Sequence, residues 1–289
     1  MSIKNSELIL NSDGSIYHLH LKPSEVADTI IFVGDQSRVD EVTKYFDSVD
    51  FEVQSREFKT QTGVYKGKRL SVISTGIGPD NIDIVLNELD ALFNIDFETR
   101  KIKTTKKRLS IVRIGTSGAL QPDIDIDRFV LSSYAMDING MLQSYKIDAI
   151  KHPAIETAFV KHTQWSSQKP YPVIIQNSSR LEAKLKSEHT LTGLTATCGG
   201  FYGPQGRILR LELQDDSLNH KMDSFEYNGL KVTNFEMETS AIYGLSKLLG
   251  HDACSMNAIL ANRALGTFSK TPQATIDKLI IYTLNKLVS

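Results

Sequence analysis

The feature that most limits what this chain can become is alternation. Runs rich in β-branched residues, "TIIFVG", "LSVISTG", "LSIVRIG", "YPVIIQ" and "CSMNAILAN", are interspersed with helical patterns such as "SRVDEVTKYF" and "PDNIDIVLNELDALF". Each helical segment carries an apolar stripe that needs a sheet to cover, so the expected class is α/β. In the first helix, which Ser37 can cap, the stripe is Val39, Val42, Tyr45 and Phe46; in the second, opened by Pro79, it is Ile82, Val85, Leu86 and Leu89. The text "REFKTQTGVYKGKRL", Arg56 to Leu70, reads as an antiparallel hairpin around Lys66-Gly67, which makes the sheet mixed. No repeat, low-complexity tract or Pro- or Ser-rich linker divides the 289 residues. The expectation is one domain, 1–289, with a central mixed β-sheet flanked by helices.

Composition narrows the partners. With 40% apolar and 23% charged residues, and no apolar run approaching the roughly 18 residues of a membrane span, no membrane is expected. The start, "MSIKNSELILNSDGS", lacks a basic segment followed by an apolar stretch, so a cytoplasmic location is expected. A net charge of -1 argues against nucleic acid, which is held by a broad positive field, and any phosphate site must then be local. The one charge run, "ETRKIKTTKKR" from Glu98 to Arg108, reads as a solvated loop. Cys198 and Cys254 have no histidine at metal-ligand spacing, so neither zinc nor a disulfide is expected and both read as buried small hydrophobes.

Three motifs carry chemistry. Gly34-Asp35 and Gly115-Thr116-Ser117-Gly118 read as turns at the carboxyl ends of strands, where glycine lets backbone N–H groups approach an anion. Arg38 and Arg113 stand beside them, each with a planar fork of donors. Neither turn is a Walker or G-x-G-x-x-G sequence, and tight turns with Arg38 paired to Asp40 or Glu41 explain the same residues. In "FEMET", Phe235 to Thr239, two glutamates at a helix start suit the helix dipole and Met237 suits a core. In "FYGPQGR", Phe201 to Arg207, a glutamine and an arginine two residues apart can offer donors and one acceptor to a planar imide edge, with Phe201 stacking beside them.

Taken in order, "YHLHLKP", "VGDQSRV", "REF", "STGIG", "RIGTSGALQPDI", "FYGPQGR" and "NFEMETSAIYGL" resemble the nucleoside phosphorylases of the uridine phosphorylase type, over Tyr17 to Arg263. The resemblance implies a pentosyltransferase that uses inorganic phosphate to split uridine, or a close pyrimidine nucleoside, into base and ribose 1-phosphate. It assigns phosphate to Gly34, Arg38, Arg113, Thr116 and, across a subunit contact, Arg56; ribose to Glu236, Met237, Glu238 and an adjacent subunit's His18; and base to Phe201, Gln205 and Arg207. Arg113, Glu238 and Arg207 are its catalytic residues. The implied assembly is a homo-oligomer, with a dimer as minimal unit and a hexamer as the larger form. No organic cofactor is implied; a potassium ion at the dimer contact would fall at Glu57 and Ser74.

Purine-cleaving relatives carry a Ser-Asp pair where this chain has Ala261-Asn262, which favours a pyrimidine, with Asn262 as neutral scaffolding and Arg263 ordering the base loop. The chain departs from the family pattern at Gln36, usually proline; at His20, usually glycine; and at "IDR", Ile126 to Arg128, usually "VGD". Alternatives are a purine or mixed-specificity phosphorylase, or a nucleoside-binding homologue that the changes at Gln36 and His20 have left without turnover.

Overall fold

The computed structural model describes residues 2–289. Its strands are β1 Thr29–Val33, β2 Ser48–Ser55, β3 Phe58–Tyr65, β4 Lys68–Ser74, β5 Ile95–Asp96, β6 Lys101–Ile102, β7 Ser110–Ala119, β8 Phe129–Asp137, β9 Val173–Gln176, β10 Thr190–Thr197, β11 Glu226–Tyr227, β12 Leu230–Glu236, β13 Asp252–Asn262 and β14 Thr267–Phe268. The helices are α1 Gln36–Thr43, α2 Pro79–Asn94, α3 Pro153–Thr163, α4 Ser179–Leu185, α5 Leu218–Asp223, α6 Thr239–Leu249 and α7 Pro272–Val288. β1 lies parallel between β4 and β7, with Ile31 opposite both Val72 and Val112. β13 follows β7 in parallel for its whole length, while β8 runs antiparallel to β13. Because β12 meets the end of β7 at Asn234 opposite Ala119, the strands β7, β13, β8, β10 and β12 close into a ring. β2, β3 and β4 add the antiparallel part, so the sheet is mixed as the hairpin required.

Period-two alternation sorts the core. From β1 and β7, Ile30, Phe32 and Ile111 face a layer with Ile82, Val85, Leu86 and Leu89 of α2 and Ile242 and Leu245 of α6. Ile31, Val33, Val112 and Ile114 face the opposite layer, with Val39 and Val42 of α1, Leu181 of α4, and Leu279, Ile280 and Leu284 of α7. The four stripe residues of α2 are fully buried, each contributing about 1.5–3 kcal/mol of hydrophobic stabilisation. No helix among the described residues is long and apolar enough to cross a membrane.

Several local expectations are corrected. Asp35, not Ser37, caps α1: its Oδ1 accepts the Arg38 N–H at 3.0 Å and the Ser37 hydroxyl at 2.5 Å. α1 ends at Thr43, so Tyr45 and Phe46 pack on the core from beyond the helix. Gly115 to Gly118 is not a turn but the last part of β7, because its backbone is paired with β13 along one edge and with Phe235 of β12 at Gly118. Opposite it β13 carries a bulge, Ile259 pairing with Ser117 and Ala261 with Gly118, which leaves Leu260 unpaired. Strands β8, β10 and β12 are absent from the alternating runs first read in the sequence. Lys66-Gly67 does form the hairpin turn, with φ of 49° and 77°. The basic segment is largely exposed and supplies β6 and the turn that joins it to β5, from which Arg100 Nε donates to the Ile3 carbonyl at 3.0 Å and holds the N-terminal segment. Cys198 and Cys254 are buried free thiols, both pushed up by burial, Cys254 to about 12.

Candidate active site

The ends of β1, β7 and β12 border one cleft of about 400 Å³. Ten of the expected site residues line it: Gly34, Arg38, Arg113, Thr116, Phe201, Gln205, Arg207, Glu236, Met237 and Glu238. At its innermost part Arg113 is buried, with Nη1 donating to Asn257 Oδ1 at 3.0 Å and Nη2 to Glu238 Oε2. Two of its five donors are thus committed within the protein, and Nη2 also lies 3.6 Å from Glu236 Oε2. Burial works against its charge, but Glu238 and Glu236 outweigh that and hold the guanidinium protonated.

Arg38 reaches the same cleft from α1. Its Nε lies 3.5 Å from Glu41 and its Nη2 3.8 Å from Asp35. The pairing with Glu41 that the sequence allowed is therefore present, whereas Asp40 pairs with Lys59 at 2.6 Å. These contacts orient Arg38 without withdrawing it from the cleft. Burial opposes ionisation of Asp35, but the Ser37 hydroxyl, the Arg38 N–H and the Arg38 guanidinium together keep its carboxyl below the ordinary value.

The two glutamates of "FEMET" differ. Glu236 Oε1 accepts the Thr197 hydroxyl at 2.6 Å, and Oε2 accepts the backbone N–H groups of Glu238 at 2.9 Å and Thr239 at 2.8 Å. From two residues before the N-cap position it takes up the first backbone donors of α6, as the helix-dipole reading requires. Glu238 is buried, with one oxygen on Arg113 and the other accepting the Gly78 N–H at 2.8 Å. Burial pushes its carboxyl up, Arg113 pulls it down, and the neighbouring Glu236 adds to the rise; the net direction is upward, since two carboxylates share one guanidinium out of water.

At the far end, Phe201 and Arg207 stack, guanidinium 3.8 Å from the ring centroid, and Arg207 Nη1 donates to Gln205 Oε1 at 2.5 Å. Arg263 Nη2 donates to the Gln205 carbonyl at 2.6 Å, so it does order this loop. Asn262 donates to the carbonyls of Gln121 at 2.9 Å and Ile124 at 2.8 Å, a buried strut between loops. Burial, then repulsion from Arg207, lowers the Arg263 guanidinium to about 10, and burial lowers Arg207 as well.

Arg56 and His18 do not line this cleft. They sit on either side of Tyr17: Arg56 Nη2 is 3.3 Å from the Tyr17 hydroxyl, and the His18 ring meets the Tyr17 ring edge-on while its Nδ1 is 2.6 Å from Glu88. Ser74 Oγ donates to the Glu57 carbonyl at 2.8 Å and accepts the Lys59 N–H at 2.7 Å, fully buried. Its donor and one lone pair are thus engaged inside the chain, so a monovalent cation at this place would be held by the Glu57 carboxylate and the remaining lone pair of Ser74 Oγ.

Several residues of the site were missed in the sequence. Asn257 holds Arg113, and its signal was a polar side chain inside the apolar run "CSMNAILAN". Gly78 stands in the quoted piece "STGIG" without a role of its own, and Leu260 reaches the cleft through a bulge that no local pattern announces.

Comparison with known proteins assigns the family and the fold. Residues 28–280 match the family model described as Phosphorylase superfamily. A uridine phosphorylase of Thermococcus kodakarensis is 30% identical over 264 residues, 89% of this chain and 81% of that protein. A purine nucleoside phosphorylase of the DeoD type from Listeria monocytogenes is 23% identical over 275 residues, 94% of this chain and 98% of that one. The crystal structure of a Trypanosoma brucei nucleoside phosphorylase that shows uridine phosphorylase activity superposes with a TM-score of 0.87 at 30% identity, covering 97% of this chain and 99% of that chain. The family match and the superposition agree on one assignment: the chain belongs to the phosphorylase superfamily and has the fold of the nucleoside phosphorylases.

Proposed function

We propose that the protein catalyses phosphorolysis of uridine, or of a close pyrimidine nucleoside, to the free base and ribose 1-phosphate. One observation carries the choice of base: among the described residues the guanidiniums of Arg207, which lines the cleft, and Arg263, which holds the Gln205 carbonyl, have no carboxylate partner, whereas Asp35 is paired with Arg38 and Glu236 and Glu238 with Arg113. Two like charges held together without a carboxylate favour an anion between them. They suit a base that leaves as an anion, without a general acid.

The chemistry follows from that division. Phosphate, held by Arg38, Arg113, Gly34 and Thr116, attacks the anomeric carbon as the bond to the base nitrogen breaks. The electron pair leaves with the pyrimidine, whose carbonyl oxygens share the charge facing Arg207 and Gln205. The sugar gains oxocarbenium character, and a Glu238 oxygen accepting the 2'-hydroxyl would strengthen as that charge develops. Glu236 contributes by fixing the backbone of Glu238, and Met237 packs on the sugar. Arg56 and His18, which do not line their own chain's cleft, are read as completing the site of a second copy, so the working unit is a homo-oligomer, a dimer at least.

Uracil release from uridine with and without phosphate tests the proposal. Phosphate-dependent release supports it. Turnover of inosine alone would favour the purine reading suggested by the Listeria relative, and tight nucleoside binding without turnover would make the protein a binding homologue.

A further inference from the structure

Gln36, the residue where the family pattern has proline, ties two parts of the phosphate machinery together. Its Nε2 donates to the carbonyl of Arg56 at 2.7 Å, and its Oε1 accepts from Gln54 Nε2 at 3.0 Å. Gln54 lies near the end of β2 and Arg56 is the first residue of the two-residue turn to β3, where it adopts a φ of 55°, a left-handed conformation unfavourable for a residue with a side chain. Gln36 is the first residue of α1, directly after the capping residue Asp35, whose backbone follows Gly34 at the edge of the cleft. The amide thus pins a strained, exposed hairpin tip to the start of the helix that presents Arg38.

We infer that Gln36 is a positioning residue for Arg56: its side-chain amide locks the hairpin tip to the phosphate-binding turn so that Arg56 is presented in one orientation to phosphate. This rests on the reading that Arg56 serves phosphate in a second copy. An arginine on an untethered tip would have to be ordered each time phosphate binds, and that cost would fall on phosphate affinity rather than on the chemical step. Proline at the first helical position keeps α1 intact, since its missing N–H and fixed φ suit that position, so Gln36→Pro removes the amide without removing the helix start.

The test is a double-mutant cycle on the full oligomer, with Gln36→Pro, Arg56→Ala and both together, reading KM for inorganic phosphate and kcat with uridine. Gln36→Pro should raise the phosphate KM by about threefold to tenfold, the factor expected from one lost hydrogen bond's net worth, with kcat within about twofold of the parent. In the Arg56→Ala background the same substitution should add nothing. Amide hydrogen exchange over residues 54–58 should quicken in Gln36→Pro. An unchanged phosphate KM in Gln36→Pro beside a large effect of Arg56→Ala, fully additive effects, or unaltered exchange at the tip would each overturn the inference. A normal phosphate KM in Arg56→Ala would instead sink the reading of Arg56, and the inference with it.

Discussion

The guanidinium of Arg113 folds back over Gly115, so closely that a methyl group on residue 115 would lie 1.8 Å from Nη1 and 2.5 Å from Cζ. A flexible arginine could swing aside, but this one is buried and held at Asn257 and Glu238. Gly115→Ala should therefore leave the fold in place while pushing Arg113 off both partners. We expect kcat/KM for phosphorolysis to fall about 100-fold, the scale of losing one preorganised donor to a reacting anion. Steady-state kinetics with circular dichroism as the folding control checks this; near-normal kinetics would mean that Arg113 has no single required position.

Glu238 makes a prediction about pH. Its carboxyl is raised above the ordinary glutamate value by burial and by Glu236, with Arg113 opposing. If the ionised form accepts the ribose 2'-hydroxyl, lowering the pH protonates it earlier than an exposed glutamate, and the acidic limb of kcat/KM should lie above the usual carboxylate range. Glu238→Gln should lower kcat, and more for ribosides than for 2'-deoxyribosides, while removing that limb. Equal losses on both sugars, with the limb retained, would assign the carboxylate to holding Arg113 and nothing else.

The layers of the fold were legible because periodicity reports which face of an element is buried, and α2 shows it most plainly: its stripe and its Pro79 start are both where the pattern put them. The site was half legible. Glycines, arginines and the "FYGPQGR" loop mark themselves by type, yet the sequence could not say that Gly115 to Gly118 continues a strand, because the pairing that keeps it extended comes from β13 and β12, more than a hundred residues away. Nor could it separate Glu236 from Glu238, two residues apart, since only the direction of the chain at Thr239 decides which carboxylate takes up the first backbone donors of α6 and which meets Arg113. The departures from the family pattern become intelligible here: His20 and Asp127, standing where glycine is usual, have φ of 54° and 65°.

Arg207 separates charge stabilisation from scaffolding. Its Nη1 donates to both the Phe201 carbonyl at 2.7 Å and Gln205 Oε1, so its removal also loosens the loop. Arg207→Ala should lower kcat for uridine by about 100-fold or more. Arg207→Lys keeps a charge but not the planar fork, and should recover part of kcat while leaving KM for uridine raised. An unchanged kcat in Arg207→Ala would return the loop to scaffolding. If Arg207→Lys is no better than alanine, geometry rather than charge is what the leaving base requires.

Asp127 yields a stability prediction. Its Oδ1 accepts the hydroxyls of Ser269 and of Thr275 in α7, both at 2.6 Å, tying the helix start to the turn before β8. Restoring glycine would relieve about 1–2 kcal/mol of left-handed backbone cost but forfeit both hydrogen bonds, about 0.5–1.5 kcal/mol each, and add about 0.5–1 kcal/mol of chain entropy. Asp127→Gly should therefore be destabilising by about 1 kcal/mol, lowering Tm by a few degrees. Asp127→Asn tolerates the same φ and keeps an acceptor oxygen, so it should remain within about 0.5 kcal/mol of the parent. Thermal unfolding of the two variants decides: if glycine raises Tm, backbone strain outweighs the two hydroxyl contacts, and the aspartate is there at a cost to stability.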